Sequence, residues 1–236
     1  KTWRLCRTEK NDEVADEIVF TLQGVLSKVN LPTPFSCAPN KLLRLSQYAE
    51  LCGMGLQTFE SSMVTATAVH ERFAQHFCGS SIASWSPVTG QMGSVFPANN
   101  RLFTLKSDAP LEQNTEFEEG VDPVGIISRL KPADMIHAPE NIVKYFRLAI
   151  NTETSDVEYI PSFPGAFRVG DIVEMQASFV AIMASQNQVK ITTRLNALTL
   201  LDNSFTKVIN NLKVDSTDKT IRMQTLNARS SNLKLV

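Results

Sequence analysis

Three histidines are the first places to look for chemistry. His70 and His76 lie in His70-Glu71-Arg72-Phe73-Ala74-Gln75-His76, which superficially resembles a zinc-protease helix. A zinc pair needs its imidazoles one helical turn apart on one face. At about 100° per residue, these two sit roughly 240° apart around a helix and point to different sides. His137 stands alone in Met135-Ile136-His137-Ala138-Pro139, with no carboxylate at a pairing distance in the sequence. The four cysteines, Cys6, Cys37, Cys52 and Cys78, contain no Cys-x-x-Cys, so neither a zinc ribbon nor a dithiol redox motif is present. Gly90-Gln91-Met92-Gly93-Ser94 contains two glycines but opens no helix, so it is a poor phosphate cradle. No catalytic residue, metal site or cofactor is expected. An enzyme would have to assemble its site from distant residues, which makes it the third-ranked function.

A chain of 236 residues with 43% hydrophobic content can bury a core without disulfides or metals. No apolar run reaches the roughly 20 residues that span a bilayer, so no membrane partner is expected. The absence of a secretory leader in Lys1-Thr2-Trp3-Arg4-Leu5, together with the thiols, points to an intracellular protein, cytoplasmic or nuclear. The start without Met suggests a fragment or processed form. Net charge is −1 but uneven. Asp108, Glu112, Glu116, Glu118, Glu119 and Asp122 form an acidic middle, while Lys207, Lys213, Lys219, Arg222, Arg229 and Lys234 make the end basic.

The elements that would position any site divide the chain into four. Residues 1–79 are expected to form a helical bundle. Val14, Ile18, Val19, Leu22, Val25, Leu26 and Val29 recur at helical spacing over 13–30, a second helix is expected over 41–52, and a third runs from Leu56 to Cys78. Residues 80–125, rich in Gly, Pro, Ser and acid, are expected to be an irregular acidic connector that includes one short strand over 101–106. Residues 126–206 are expected to be an antiparallel β domain, with a small OB-like barrel as one form it could take. Residues 207–236 are expected to be a polar basic tail, with Thr220–Leu226 as a candidate added strand. The fold class expected is therefore α+β.

The firmest element is a hairpin from about Asp171 to Asp202. Val173, Met175, Ala177, Phe179, Ala181 and Met183 share one face of its first strand, and Val189, Ile191, Leu195, Ala197 and Leu201 share one face of its second. Keeping those faces together requires paired residue numbers to sum to an even value, near 370 or 372. Glu174, Gln176, Arg194 and Asn196 then lie outside and form a candidate contact surface. Asn141 to Ile150 and Val157 to Ile160 read as two further strands. In the first of them Lys144, Tyr145, Phe146 and Arg147, with Arg168 nearby, are candidates for a nucleic-acid face that combines aromatic and basic groups. Tyr145 and Phe146 alternate sides, so one of them belongs to a core. Val169-Gly170-Asp171-Ile172-Val173-Glu174 suits the entry to a sharply curved barrel strand.

Four blocks together carry a resemblance: Asp122-Pro123-Val124-Gly125, Ile136-His137 followed by Glu140 to Phe146, Phe167 to Phe179, and Leu195 to Asp202. They are similar to a module repeated in uncharacterised proteins of mushroom-forming (basidiomycete) fungi, over about residues 122–206. The resemblance brings no activity, cofactor or site residue. The expansion of that module implies mobile-element or defence biology. The leading function expected is a non-enzymatic interaction or self-assembly protein, with a protein partner or a second copy bound through the β domain. The alternative is a nucleic-acid-binding accessory protein.

Overall fold

The segment expected to open a helical bundle is instead a long, bent β-strand. The computed structural model describes residues 2–7, 16–32, 45–77, 81–83, 88–90, 93–109, 113–150, 156–183 and 188–208. The expected tail strand Thr220–Leu226 lies outside them. Within them, β1 (Thr2–Arg4), β2 (Cys6–Arg7), β3 (Asp16–Glu17), β4 (Phe20–Asn30) and β5 (Ser46–Cys52) precede helix α1 (Gln57–Gln75). Then follow β6 (Ser81–Ala83), β7 (Val88–Gly90), β8 (Gly93–Arg101), β9 (Thr104–Leu105), α2 (Ile126–Leu130) and β10 (Met135–Ile136). The chain continues with β11 (Lys144–Ile150), β12 (Val157–Pro161), β13 (Ile172–Met183) and β14 (Gln188–Asp202). The fold is mostly β, and of the three expected N-terminal helices only the third, α1, is one.

The misleading period in β4 has a physical cause. The ladder to β5 slips between Leu26 and Lys28, leaving Ser27 as a bulge residue. A bulge adds one residue to one strand and so switches which parity faces the core. Leu22, Gly24 and Leu26 face inward before the slip and Val29 after it, and because Gly24 has no side chain the inward apolar side chains fall four and then three apart, as on a helix. Strand β5 was hidden differently. Gln47, Ala49 and Leu51 are buried while Ser46, Tyr48 and Glu50 are partly exposed, a strand's alternation.

Five strands close into a barrel in the order β4–β5–β8–β14–β13 and back to β4. In chain order this is first, second, third, fifth, fourth, the connectivity of an OB-like Greek-key barrel. The sheet thus takes strands from the segments expected to be bundle, connector and β domain. It is not purely antiparallel either, since β14 pairs in parallel with β6, β8 and β11. Leu26, Ala49, Leu51, Val173, Met175, Phe179, Leu195 and Leu198 fill the interior, each at most 1% exposed. Helix α1 closes one end with Phe59, Met63, Ala66 and Phe73. A Cβ on Gly53 would lie 2.4–2.5 Å from side-chain atoms of Phe59, so only glycine lets the helix start this close to β5.

The seam between β8 and β14 is the barrel's weakest joint. One backbone bridge, Arg194 with Asn99, crosses it. Side chains supply the remainder: Asn100 Nδ2 donates to Leu195 O (3.1 Å) and the Thr193 hydroxyl donates to Pro97 O. Because the Pro97 carbonyl turns toward β14, its nitrogen faces the same way, where proline has no N–H to offer.

The expected hairpin is present as β13 and β14. From Ala177 to Met183 the paired numbers sum to 372, as the sequence pattern requires. The register then slips between Gln176 and Ala177, with Asn196 as the extra residue, and Glu174 faces Thr199. Leu198 and Leu200 therefore point inward, where Ala197 and Leu201 were expected. Asp171, at the entry to this strand, is fully buried. It accepts hydrogen bonds from the Arg168 N–H (2.7 Å) and the Thr206 hydroxyl (2.5 Å). Gly170, at φ 97°, makes that corner.

Candidate nucleic-acid interface

The eight residues singled out in the sequence do not form one site. Lys144, Glu174, Gln176 and Asn196 share an open groove with Phe146, Tyr159 and Thr199 on the outer face of β11, β13 and β14. Glu174 is mostly buried there and accepts a hydrogen bond from Gln23 Nε2 (2.9 Å), so it is a structural acceptor. Tyr145 is a core residue at 5% exposure, and its hydroxyl donates to Gln47 Oε1 (2.9 Å). Arg147 is exposed on the opposite side of β11 from Lys144. Arg168 turns back on its own backbone, donating to Phe167 O (2.9 Å) and Gly165 O, which fixes the corner before β13. Arg194 touches the groove only through its Nε, which donates to Asn196 Oδ1 (3.3 Å), and its Nη2 reaches Glu17 on the barrel face carried by β8.

The patch on that face was missed in the sequence because β5 was read as helix. Strand registers place Asn30 beside Tyr48, Tyr48 beside Asn99, and Asn99 beside Arg194, in one row across β4, β5, β8 and β14. Buried neighbours alternate with them, so all four side chains stand on the outer surface. On one side of this row Lys28 pairs with Glu50 and then Pro97. On the other, Ser46 pairs with Arg101. Lys28, Asn30, Asn99 and Arg101 are exposed and Tyr48 is half-buried.

Hydrogen bonds orient the aromatic ring. The Tyr48 hydroxyl donates to Glu50 Oε2 (2.7 Å), and Glu50 Oε1 accepts from Ser27 Oγ (2.8 Å). Burial first, and then the Glu50 carboxylate, push the phenol's pKa up, so it remains a neutral donor. Arg194 Nη2 contacts both Glu17 carboxylate oxygens, one at 2.7 Å. Arg4, from β1, reaches Glu140 at 3.0 Å and Glu17 at 3.9 Å. Among the described residues Lys28 and Arg101 make no ion pair, and so they are the cations this face offers to a ligand.

Beside the patch, a buried polar network fixes the end of β8. Asn100 Nδ2 donates to Glu140 O (2.9 Å), Gln47 Nε2 to Asn141 O (2.9 Å), and the Ala138 N–H to Asn141 Oδ1 (2.9 Å). His137 is part of this support. Its Nδ1 donates to Leu102 O (2.9 Å), and its ring lies 4.3 Å from that of Phe117, centroid to centroid. The adjoining cleft is lined by Glu116, Glu118, Asp122 and Lys131. Burial pushes the His137 pKa down, so the ring is neutral at physiological pH. His70 is buried on α1 and carries a lowered pKa, again through burial first. Among the described residues no three His, Cys, Asp or Glu side chains gather as metal ligands, and no helix is long and apolar enough to cross a membrane.

Neither protein-family models nor curated proteins give a match to the chain. Among solved structures, the chain shows a likeness to gp2.5, a single-stranded DNA binding protein encoded by bacteriophage T7. The TM-score is 0.40 and the identity 10%, over 79% of this chain and 87% of that one.

Proposed function

We propose that the protein binds single-stranded nucleic acid across the outer face of β4, β5 and β8. The row Asn30–Tyr48–Asn99–Arg194 carries this reading. It sets one oriented aromatic ring between amides, with the unpaired cations Lys28 and Arg101 on either side. A stacked base needs an aromatic face, its phosphates need cations spaced along the path, and its edges accept amide hydrogen bonds. The face of the second and third strands is also where OB barrels present their binding surface, an analogy of fold that adds to the residue argument. Glu50 engages the Tyr48 hydroxyl, leaving the ring to act by stacking.

The test is fluorescence anisotropy with a labelled single-stranded oligonucleotide and the matching duplex, at low and rising salt. Binding of the single strand that weakens with salt, and weaker binding of the duplex, is the expected result. Failure to bind any single strand at about 50 mM salt, where phosphate contacts are strong, would exclude the proposal.

A further inference from the structure

Strand β12 ends its side of the sheet, and its geometry points to a second copy of this chain: we propose that two molecules pair antiparallel through β12 about a two-fold axis at Tyr159. The Ser162 N–H donates to Tyr145 O (2.9 Å), making 162/145 a hydrogen-bonded pair of the β11–β12 ladder. Bonded and non-bonded pairs alternate in antiparallel sheets. In the observed register, Arg147 with Ile160 and Ala149 with Glu158 are therefore the next bonded pairs. The N–H and C=O of Val157 and Tyr159, and the carbonyl of Pro161, then face away from β11. No described strand lies on that side. The N–H that Pro161 lacks falls on this same edge, so it costs the ladder nothing.

The edge is apolar as well as open. Val157 is 55% exposed, Tyr159 53% and Ile150 66%, all on one face of the hairpin. An exposed edge with apolar side chains is a template for another strand. The second copy is favoured because this edge is complementary to itself. With Tyr159 opposite the second copy's Tyr159, each Tyr159 N–H meets the other's carbonyl. Each Val157 N–H meets the other's Pro161 carbonyl. Four hydrogen bonds form, and the one donor that proline cannot supply is missing once on each side. On the reverse face, Glu158 falls opposite the second copy's Ile160, with that copy's Arg147 one strand behind. Two strand spacings, about 9.6 Å, separate the two charged residues' backbones, a gap that extended Arg and Glu side chains span together. Both charges are exposed, and neither is in an ion pair with a described residue. The symmetry makes the bridge twice, as an isologous interface requires.

The proposal is independent of nucleic-acid binding and is tested without any. Light scattering on the full chain should give a mass that rises with concentration from 26.2 kDa to twice that value. Tyr159→Pro removes an N–H that only the second copy would use. It should raise the dimer dissociation constant about thirtyfold, for two lost hydrogen bonds. Arg147→Glu and Glu158→Arg should each weaken the dimer, and together they should restore it, with thermal melts of each variant as the check that the single changes leave the fold intact. A monomer at every concentration, as would follow if the chain's own C-terminal residues or another protein occupied this edge, would overturn the proposal. So would a charge-reversed double variant no tighter than either single one.

Discussion

Replacing Tyr48 and Arg101 separates the two forces on which the proposed interface depends. Tyr48→Ala removes the one aromatic ring in the row and also the donor to Glu50. Base stacking on an aromatic side chain contributes roughly 1–3 kcal/mol by alanine substitution, so the dissociation constant should rise about 5- to 150-fold. The salt dependence should not change, because no cation is lost. Arg101→Ala should do the reverse. With Arg4 and Arg194 held by Glu17 and Glu140, Lys28 and Arg101 are, among the described residues, the cations on this face free to displace counterions. At about −0.7 per phosphate contact on a single strand, two contacts give a slope of roughly −1.4 in log K against log salt. Between about 50 and 200 mM that is roughly a sevenfold loss of affinity. Removing Arg101 should halve the slope. Tyr48→Phe keeps the ring without the hydroxyl and should bind nearly as tightly as the wild type. Anisotropy titrations at several salt concentrations measure all three variants, with thermal melts as the check on folding. A folded Tyr48→Ala protein that binds as the wild type does, or a slope indifferent to Arg101, would refute the reasoning.

Tyr145→Phe leaves the Gln47 side-chain carbonyl buried without its donor, and should cost about 1–2 kcal/mol in urea denaturation while leaving oligonucleotide affinity unchanged. Gly53→Ala forces a methyl into Phe59, and should lower stability by about 1–3 kcal/mol, read as a drop in the urea midpoint. Burial lowers the pKa of His70 and His137 below the 6.5 of a free imidazole, so below that value the unfolded chain takes up protons that the folded chain does not. Stability should be fully present above about pH 6.5 and fall as pH drops through that value toward the folded-state pKa. His137→Gln should make melts at pH 5 and 7.5 differ less than in the wild type, and an unchanged pH dependence would remove His137 from the account. Asp171→Ala takes the acceptor from the Arg168 N–H at a buried corner, while the Thr206 hydroxyl keeps Asn203 O (3.0 Å). It should cost about 1–3 kcal/mol, read as a drop in the urea midpoint.

What could be read in the sequence is what local periodicity controls. Helix α1 shows a continuous apolar stripe, with Phe59, Met63, Ala66 and Phe73 buried, and its pattern is helical with no other explanation. In the β13–β14 hairpin, β14 alternates over the stretch where the register sums to one value, with Val189, Ile191, Thr193 and Leu195 buried between less buried neighbours. Two of the failures fall at bulges. Ser27 shifts the inward parity of β4 and, with Gly24 lacking a side chain, produces the three- and four-residue spacing of a helix. Asn196 does the same in β14, which is why Ala197 and Leu201 were assigned inward in place of Leu198 and Leu200. A window of residues counts spacing and has no means of knowing that one residue has been left out of a ladder.

The candidate interface was the harder part to find because β5 was read as helix. Its row exists only after β4, β5, β8 and β14 are brought together, and Asn30 and Arg194 are far apart in the chain. Nothing local marks Tyr48 as different from Tyr145, since each stands in a short run mixing apolar and polar residues. The barrel separates them by the side of the strand on which each falls. Tyr145 points into the interior and spends its hydroxyl on Gln47, while Tyr48 points outward and has its hydroxyl held by Glu50 on its own strand. The residue types that suggest nucleic-acid binding, aromatic and basic groups on one β face, were sought on β11, whose outer face sets Lys144 and Phe146 in one groove with the mostly buried Glu174. The barrel's own second and third strands supply a better match, because there the acids Glu17 and Glu140 occupy Arg4 and Arg194 and leave Lys28 and Arg101 to flank an oriented ring.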